Sequence, residues 1–172
     1  GQGLCSGTSC VPKQPKVPFL RRLTEEQTEL TRKLNTIISG ITKGQFHWSS
    51  LQINFNTQAR EHTDSNNDGP SLVMSGGEHT GGEFYVRVHK DAEKQIMPVN
   101  GSPVITDGRL LHGHLPYEGP RCSIVAFTHS SFWHTSDADR QSLRELGFSL
   151  PETRCTKSPP LISLQEYLDP VG

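Results

Sequence analysis

The chain has 172 residues, a formal net charge of −1 and 32% hydrophobic residues. This length fits one domain with its own core, and the balanced charge without a dense Lys/Arg block argues against a large permanent groove for a polyanion. No apolar run approaches the roughly 20 residues that cross a bilayer, so we expect no membrane partner.

The predicted elements begin after a polar segment. Residues 1–18 are rich in Gly, Ser, Pro and Lys without an apolar period, which predicts a tail or linker. An amphipathic helix follows, with Thr24 as N-cap, Gln27 three residues later and Gly40 as the stop. Its apolar positions at helical spacing are Leu30, Leu34, Ile37 and Ile38.

After this helix, apolar residues recur at every second position. The segments LQINFN (51–56) and EFYVRVH (83–89) alternate apolar and polar residues, as strands with one buried face do. Further short apolar runs are SLVMS, SPVIT, RLLHG and CSIVAFTH, and turn residues separate them. Many short strands with regular turns predict a mainly β fold with flanking helices, of the sandwich or barrel type.

A second helix is predicted near the end of the chain. Ser136 and Asp139 form a capping-box pattern, Leu143 and Leu146 are the inward positions, and Gly147 is the stop. The final residues, 151–172, carry several prolines and few periodic apolar positions, which predicts a second tail. The folded domain is therefore expected at 19–150.

The four cysteines show no C-x-x-C pair and no zinc-site spacing. This pattern favours a reducing setting, so an intracellular location, nuclear or cytoplasmic, is expected. The first residue is Gly1, so we expect either a processed form or one domain of a larger protein.

A pattern typical of metal ligands is His62-Thr63-Asp64. Residues two apart on a strand point to the same face, so His62 and Asp64 could bind one ion together. The strand-like segment GRLLHGH offers a third ligand, His112 or His114. Two histidines and one carboxylate form the facial triad of non-haem iron oxygenases, which leaves open positions on the metal.

A cationic position follows this segment. Arg121 and Ser123 share one face at the start of an apolar strand. A buried arginine without a partner would be costly, and a planar guanidinium beside a hydroxyl suits the distal carboxylate of a dicarboxylate such as 2-oxoglutarate.

With these residues the sequence resembles the 2-oxoglutarate/Fe(II)-dependent dioxygenase superfamily over roughly residues 51–132. The shared elements are H-T-D at 62–64, G-G-E-F at 81–84, G-S-P-V-I-T-D-G at 101–108, His112 and R-C-S at 121–123. The resemblance implies a double-stranded β-helix (a jelly-roll, cupin-like fold) at 19–150. It also implies Fe(II) held by His62, Asp64 and His112, and 2-oxoglutarate held by Arg121 and Ser123. The implied reaction hydroxylates a C–H group with O₂ and converts 2-oxoglutarate to succinate and CO₂.

The resemblance also bears on the choice between the two histidines. His112 has the family's separation from Arg121, whereas His114 is two residues too close. This favours His112 as the ligand, although strand spacing alone leaves His114 open.

Short segments, among them N-F-N at 54–56 and H-T-D-S-N-N-D-G-P-S at 62–71, are similar to the branch that holds TET and J-binding proteins. That branch oxidises the methyl group of a pyrimidine in nucleic acid, which would make nucleic acid a partner beside 2-oxoglutarate and O₂. The expected substrate contacts are Asn54, Asn66 and His79.

Two alternatives remain open. The prolyl-hydroxylase branch also carries H-x-D and a G-G turn, but it commonly has lysine where Arg121 stands. A non-catalytic β-helix module, serving as a recognition surface in a larger protein, would be indifferent to iron and 2-oxoglutarate.

Overall fold

The computed structural model describes residues 2–11, 13–155 and 157–170. The strands are β1 (Gln2–Val11), β2 (Gln14–Leu20), β3 (Ser50–Phe55), β4 (Ser71–Gly76), β5 (Thr80–Gly81), β6 (Phe84–Arg87), β7 (Gln95–Met97), β8 (Val104–Thr106), β9 (Leu111–His114), β10 (Tyr117–Glu118), β11 (Cys122–Phe127) and β12 (Leu161–Ser163). The helices are α1 (Glu25–Ile41), α2 (Asp137–Glu145), α3 (Leu164–Leu168) and a 3₁₀ helix at Ser130–His134.

The strands form a large sheet and two small ones. The large sheet has the order β12-β8-β4-β11-β3-β1-β2, and the small sheets have the orders β7-β6-β9 and β10-β5. All of these strand pairs are antiparallel. Val73 and Val104 of the large sheet pack with Phe84 and Val86 of the three-stranded sheet. The mainly β fold with flanking helices is thus confirmed, and the three-stranded sheet packs on one face of the large sheet.

On the opposite face of the large sheet, Ile38 of α1 packs in the main core with Leu51, Leu72 and Ala126. The helix begins at the predicted capping box of Thr24 and Gln27. Its buried face is more polar than expected, because Thr31 and Asn35 are buried whereas Ile37 is 51% exposed. Asn35 accepts a hydrogen bond from Trp48 Nε1 at 2.9 Å and donates to the Leu146 carbonyl at 2.9 Å, so burial of its amide costs little.

The second predicted helix is also present. Ser136 caps α2 by accepting a hydrogen bond from the Asp139 amide, and Leu143 is fully buried in the main core. Gly147 follows the helix with φ +90, the left-handed conformation that a helix stop requires.

The prediction that residues 1–18 form a tail without regular structure is wrong, because they form β1 and most of β2. The start of the domain at residue 19 remains a prediction. Residues 2–7 pair with β3, and β2 then pairs with β1. Sequence periodicity missed this hairpin because the buried side chains of β1 include the polar Ser6 and Thr8. Gly7 allows the close approach, since a Cβ there would lie 2.2 Å from the Ser49 carbonyl oxygen. Residues 1 and 12 lie outside the described part of the chain.

The predicted C-terminal tail is also partly ordered. β12 pairs with β8 at the edge of the large sheet, and Leu161, Leu164 and Leu168 are buried. The segment therefore packs against the domain rather than extending from it. Residues 156, 171 and 172 of this segment lie outside the described residues. Across residues 2–11, 13–155 and 157–170, no helix combines the length and the hydropathy that a membrane crossing needs.

The G-G pair before β6 yields a stability prediction. Gly81 has φ +73, and a Cβ there would lie 2.3 Å from the Pro116 carbonyl oxygen. Gly44 has φ +70 with no neighbouring atom within 4 Å of such a Cβ. We expect Gly44→Ala to lower the free energy of unfolding by about 1–2 kcal/mol from its backbone conformation alone, and Gly81→Ala to lower it clearly more. Denaturant unfolding of both variants checks this, and equal losses would show that the contact with Pro116 is readily relieved.

Candidate active site

Two histidines face each other across a short antiparallel bridge. The His62 amide donates to the His112 carbonyl at 3.1 Å, and the His112 amide donates to the His62 carbonyl at 3.0 Å. The ring centroids lie 4.4 Å apart. The bridge joins the loop after β3 to β9, so strand pairing brings together two residues that are far apart in sequence.

Asp64 completes a group of three side chains. Its carboxylate oxygens lie 3.6 Å from Nε2 of His62 and 3.2 Å from Nε2 of His112. The three ligand atoms lie within 4.8 Å of one another, close enough to hold one metal ion. We call His62, Asp64 and His112 the metal group. The Asp64 amide donates to the Gly108 carbonyl at 2.8 Å, which fixes the carboxylate relative to the turn before β9.

The histidine rings are oriented by backbone carbonyls. Nδ1 of His62 lies 2.8 Å from the Arg60 carbonyl, and Nδ1 of His112 lies 2.8 Å from the Leu110 carbonyl. Protonation at Nδ1 leaves both Nε2 lone pairs directed toward Asp64, which is how metal-binding histidines are commonly held. Burial lowers the pKa of His112, but the hydrogen bonds that the protonated ring makes to Asp64 and the Leu110 carbonyl outweigh it and raise this pKa above its ordinary value. The three residues thus stabilise positive charge at their centre, and they fit a divalent metal.

The residue before His62 is fixed by a polar cluster. The Glu61 carboxylate accepts hydrogen bonds from Tyr85 Oη at 2.7 Å and from Arg87 Nη2 at 2.6 Å. The Arg87 and Tyr85 donors hold the pKa of Glu61 below its ordinary value. Burial, together with the Glu61 carboxylate, raises the pKa of Tyr85 to about 12. Because Tyr85 and Arg87 belong to β6, the cluster ties the His62 loop to the three-stranded sheet.

Arg121 is a buried cation close to the metal group. The residue is 4% exposed, and among the described residues no carboxylate forms an ion pair with it. Its Nε is buried without a hydrogen-bond partner, and its guanidinium lies over the Tyr117 ring, 5.1 Å from the centroid. Burial lowers the pKa of Arg121, yet a guanidinium stays charged at neutral pH. Such a group favours an anion in the adjoining space.

His114, which strand spacing left open as a metal ligand, lies against this arginine. Arg121 Nη2 is 2.8 Å from His114 Nδ1, and the ring also lies near the Gly82 carbonyl. Burial and the positive charge of Arg121 lower the pKa of His114 to about 4, so its ring is neutral near pH 7. The group of three side chains that could hold a metal ion contains His112 and does not contain His114.

One cavity of about 400 Å³ joins the metal group to Arg121 and Ser123. Two of the three predicted substrate contacts line it: Asn54 is half-buried on β3, and Asn66 is exposed in the turn after Asp64. His79 is not among the lining residues. Its ring contacts Tyr117 edge-on, and its Nε2 lies 3.4 Å from Ser75 Oγ.

Sequence reasoning missed several polar residues of this cavity, among them an amide and an imidazole. Asn67 and His129 both line it, and they form an isolated antiparallel bridge with each other. The sequence does contain a signal for His129, because every second residue from Arg121 through β11 faces the cavity and the alternation extends past the strand to position 129. The signal for Asn67 was weaker, since Asn66 and Asn67 stand together and only folding decides which one is buried.

No protein-family model matches the chain, and no curated protein sequence matches it significantly. The structure is similar to that of NgTET1 in complex with 5mC DNA, with a TM-score of 0.58 and 16% identity, over 84% of this chain and 69% of that chain. It is also similar to an oxidoreductase of the 2OG-Fe(II) oxygenase family from Burkholderia pseudomallei, with a TM-score of 0.50 and 18% identity, over 73% of this chain and 65% of that one. The chain thus spans about two thirds of the length of each. These likenesses confirm the expected fold: the chain has the double-stranded β-helix architecture of 2OG-Fe(II) oxygenases.

Proposed function

We propose that the chain is an Fe(II)- and 2-oxoglutarate-dependent dioxygenase that hydroxylates a C–H group. The observation that carries this proposal is the shared cavity, in which His62, Asp64 and His112 stand near a buried arginine that has no carboxylate partner among the described residues. A metal protein that does not use a dicarboxylate has no need of that arginine. A recognition module has no need of both features in one cavity.

The residues present fit both cofactors. His62, Asp64 and His112 would hold Fe(II) on one face and leave its other positions open. Arg121 and Ser123 would hold the distal carboxylate of 2-oxoglutarate, the arginine through paired N–H donors. When bound, iron and 2-oxoglutarate together supply the oxidising chemistry, in which O₂ and 2-oxoglutarate are consumed, succinate and CO₂ are released, and the substrate gains a hydroxyl group.

The remaining lining of the cavity has a second task. Val73, Phe84, Val125 and Phe127 give it apolar walls, which limit the access of water to the reacting groups. Arg121 keeps its charge in this setting, so it orients a dicarboxylate without a proton transfer. The side chains of the cavity thus bind, orient and shield the reactants.

For the substrate we propose a methylated pyrimidine in nucleic acid. Asn54, Asn66, Asn67 and His129 line the cavity, and amide and imidazole groups can donate to and accept from the polar edge of a base. The similar NgTET1 structure was determined with 5mC DNA, which supports the same class here.

The test is the consumption of 2-oxoglutarate by the purified chain. With Fe(II), O₂ and an oligonucleotide that contains 5-methylcytosine, we expect stoichiometric succinate and an oxidised base detected by mass spectrometry. An unmethylated oligonucleotide of the same sequence is the matched control. Succinate that forms without iron would contradict the reaction class. Binding of 2-oxoglutarate with Mn(II), but equal turnover with both oligonucleotides, would contradict only the proposal that the substrate is a methylated pyrimidine.

A further inference from the structure

Asn56 has an unusual backbone conformation at the end of β3. Its φ is 51, in the left-handed region, where a residue other than glycine carries an energetic cost. Asparagine tolerates this region better than most residues, because its short side chain can hydrogen-bond locally. The position therefore suggests a specific task for the side chain.

That task is visible at Arg121. The Asn56 amide donates to the Arg121 carbonyl at 2.8 Å, and the Arg121 amide donates to Asn56 Oδ1 at 2.9 Å. Both backbone polar groups of the buried arginine are thus satisfied by one residue. The side-chain oxygen of Asn56 takes the place that a carbonyl of β3 would have in a continuing ladder.

The strand pairing explains why a side chain is needed here. The pairing of β3 with β11 ends at Phe55 and Cys122, one residue before Asn56 and Arg121 would meet. At Asn56 the chain leaves the strand and leads into the loop that carries His62. A regular strand residue would extend the ladder but could not make this turn, whereas Asn56 does both.

We propose that Asn56 is a positioning residue for Arg121, which holds the backbone of the 2-oxoglutarate-binding arginine in place while the chain turns toward the metal ligands. This inference rests on the proposed function. It assigns to Asn56 no contact with 2-oxoglutarate or metal, only the placement of the residue that binds the co-substrate. Replacement of Asn56 should therefore lower the affinity for 2-oxoglutarate and leave the affinity for metal unchanged.

The chain allows a sharp set of variants. Asn56→Gly accepts the left-handed backbone but removes the acceptor for the Arg121 amide. Asn56→Asp keeps an acceptor oxygen of the same geometry, and Asp also tolerates this conformation. Lys43→Gly is the matched control for added backbone freedom, since Lys43 has the same φ of 51 and is exposed at the end of α1.

Two measurements are made on each variant of the full chain. The first is amide hydrogen exchange at Arg121, followed by NMR, which tests the hydrogen bond without any ligand. The second is calorimetry of Mn(II), then of 2-oxoglutarate with Mn(II) present. For Asn56→Gly we expect Arg121 exchange to be about tenfold faster and 2-oxoglutarate affinity to fall about three- to tenfold, with Mn(II) affinity unchanged. Asn56→Asp and Lys43→Gly should stay within about twofold of the original protein in each measurement.

The outcomes separate this inference from the proposed function. Failure of the unaltered protein to bind 2-oxoglutarate would contradict the proposed function and its consequence for Asn56, whatever the exchange result. Normal binding by the unaltered protein and equal binding by Asn56→Gly would overturn the positioning role alone. Equal losses of Mn(II) and 2-oxoglutarate affinity in Asn56→Gly would show that the residue supports the whole site rather than Arg121.

Discussion

His112→Ala is expected to abolish metal binding and turnover while the fold persists. Its Nε2 lies 3.2 Å from the Asp64 carboxylate in the only group of three metal-ligating side chains found among the described residues. Loss of a residue that merely orients a ligand costs roughly 10–100-fold in metal affinity, so loss of a ligand should exceed that range. The ring lines a cavity rather than filling the main core, so the thermal midpoint without metal should change little.

His114→Ala is the matched control for this experiment, because it removes the same side chain two residues away on the same strand. Its ring contacts Arg121, so this variant should keep its Mn(II) affinity and lose part of its affinity for 2-oxoglutarate. His62→Ala and Asp64→Ala should behave as His112→Ala does. The assignment would be wrong if titration showed that His114→Ala loses the metal and His112→Ala retains it.

The histidines show what the sequence could and could not predict. The H-x-D spacing of His62 and Asp64 is local, so two residues on one extended segment could be matched to one ion without a structure. The choice between His112 and His114 depends on pairing with a distant segment. The bridge between His62 and His112 decides which of the two rings faces Asp64, and no local pattern carries that information.

The ends of the chain show a different limit. Helices α1 and α2 were predictable because their caps and apolar positions lie within one segment. β1 was not predictable by periodicity, since it is rich in Gly, Ser, Cys and Thr and joins the sheet mainly through backbone hydrogen bonds with β3. The role of Asn56 could not be predicted from the sequence for a similar reason. Alternation placed it on a polar strand face, whereas its left-handed conformation and its bond to Arg121 arise only where the strand ends.

Arg121 carries the prediction that separates the proposed function from that of a generic metal protein. Arg121→Lys keeps the charge but loses the planar pair of N–H donors. We therefore expect 2-oxoglutarate affinity to fall by about 1–3 kcal/mol, the value of a hydrogen bond to a charged group. Mn(II) affinity should be nearly unchanged, because Arg121 is not part of the metal group. Arg121→Ala should lose more of the 2-oxoglutarate affinity.

Arg121→Met tests whether the arginine is instead a structural residue. Methionine fills part of the same space without charge, and it removes a cation that is 4% exposed and has no carboxylate partner in the described part of the chain. Because an unpaired buried charge is costly, this variant should unfold at the same temperature as the original protein or higher. In the original protein, 2-oxoglutarate at a hundred times its Kd should add about 2.7 kcal/mol of stability, and in Arg121→Met it should add almost none. A lower thermal midpoint without ligand, together with equal losses of Mn(II) and 2-oxoglutarate binding, would mean that Arg121 serves the fold and that the proposed use of 2-oxoglutarate loses its main support.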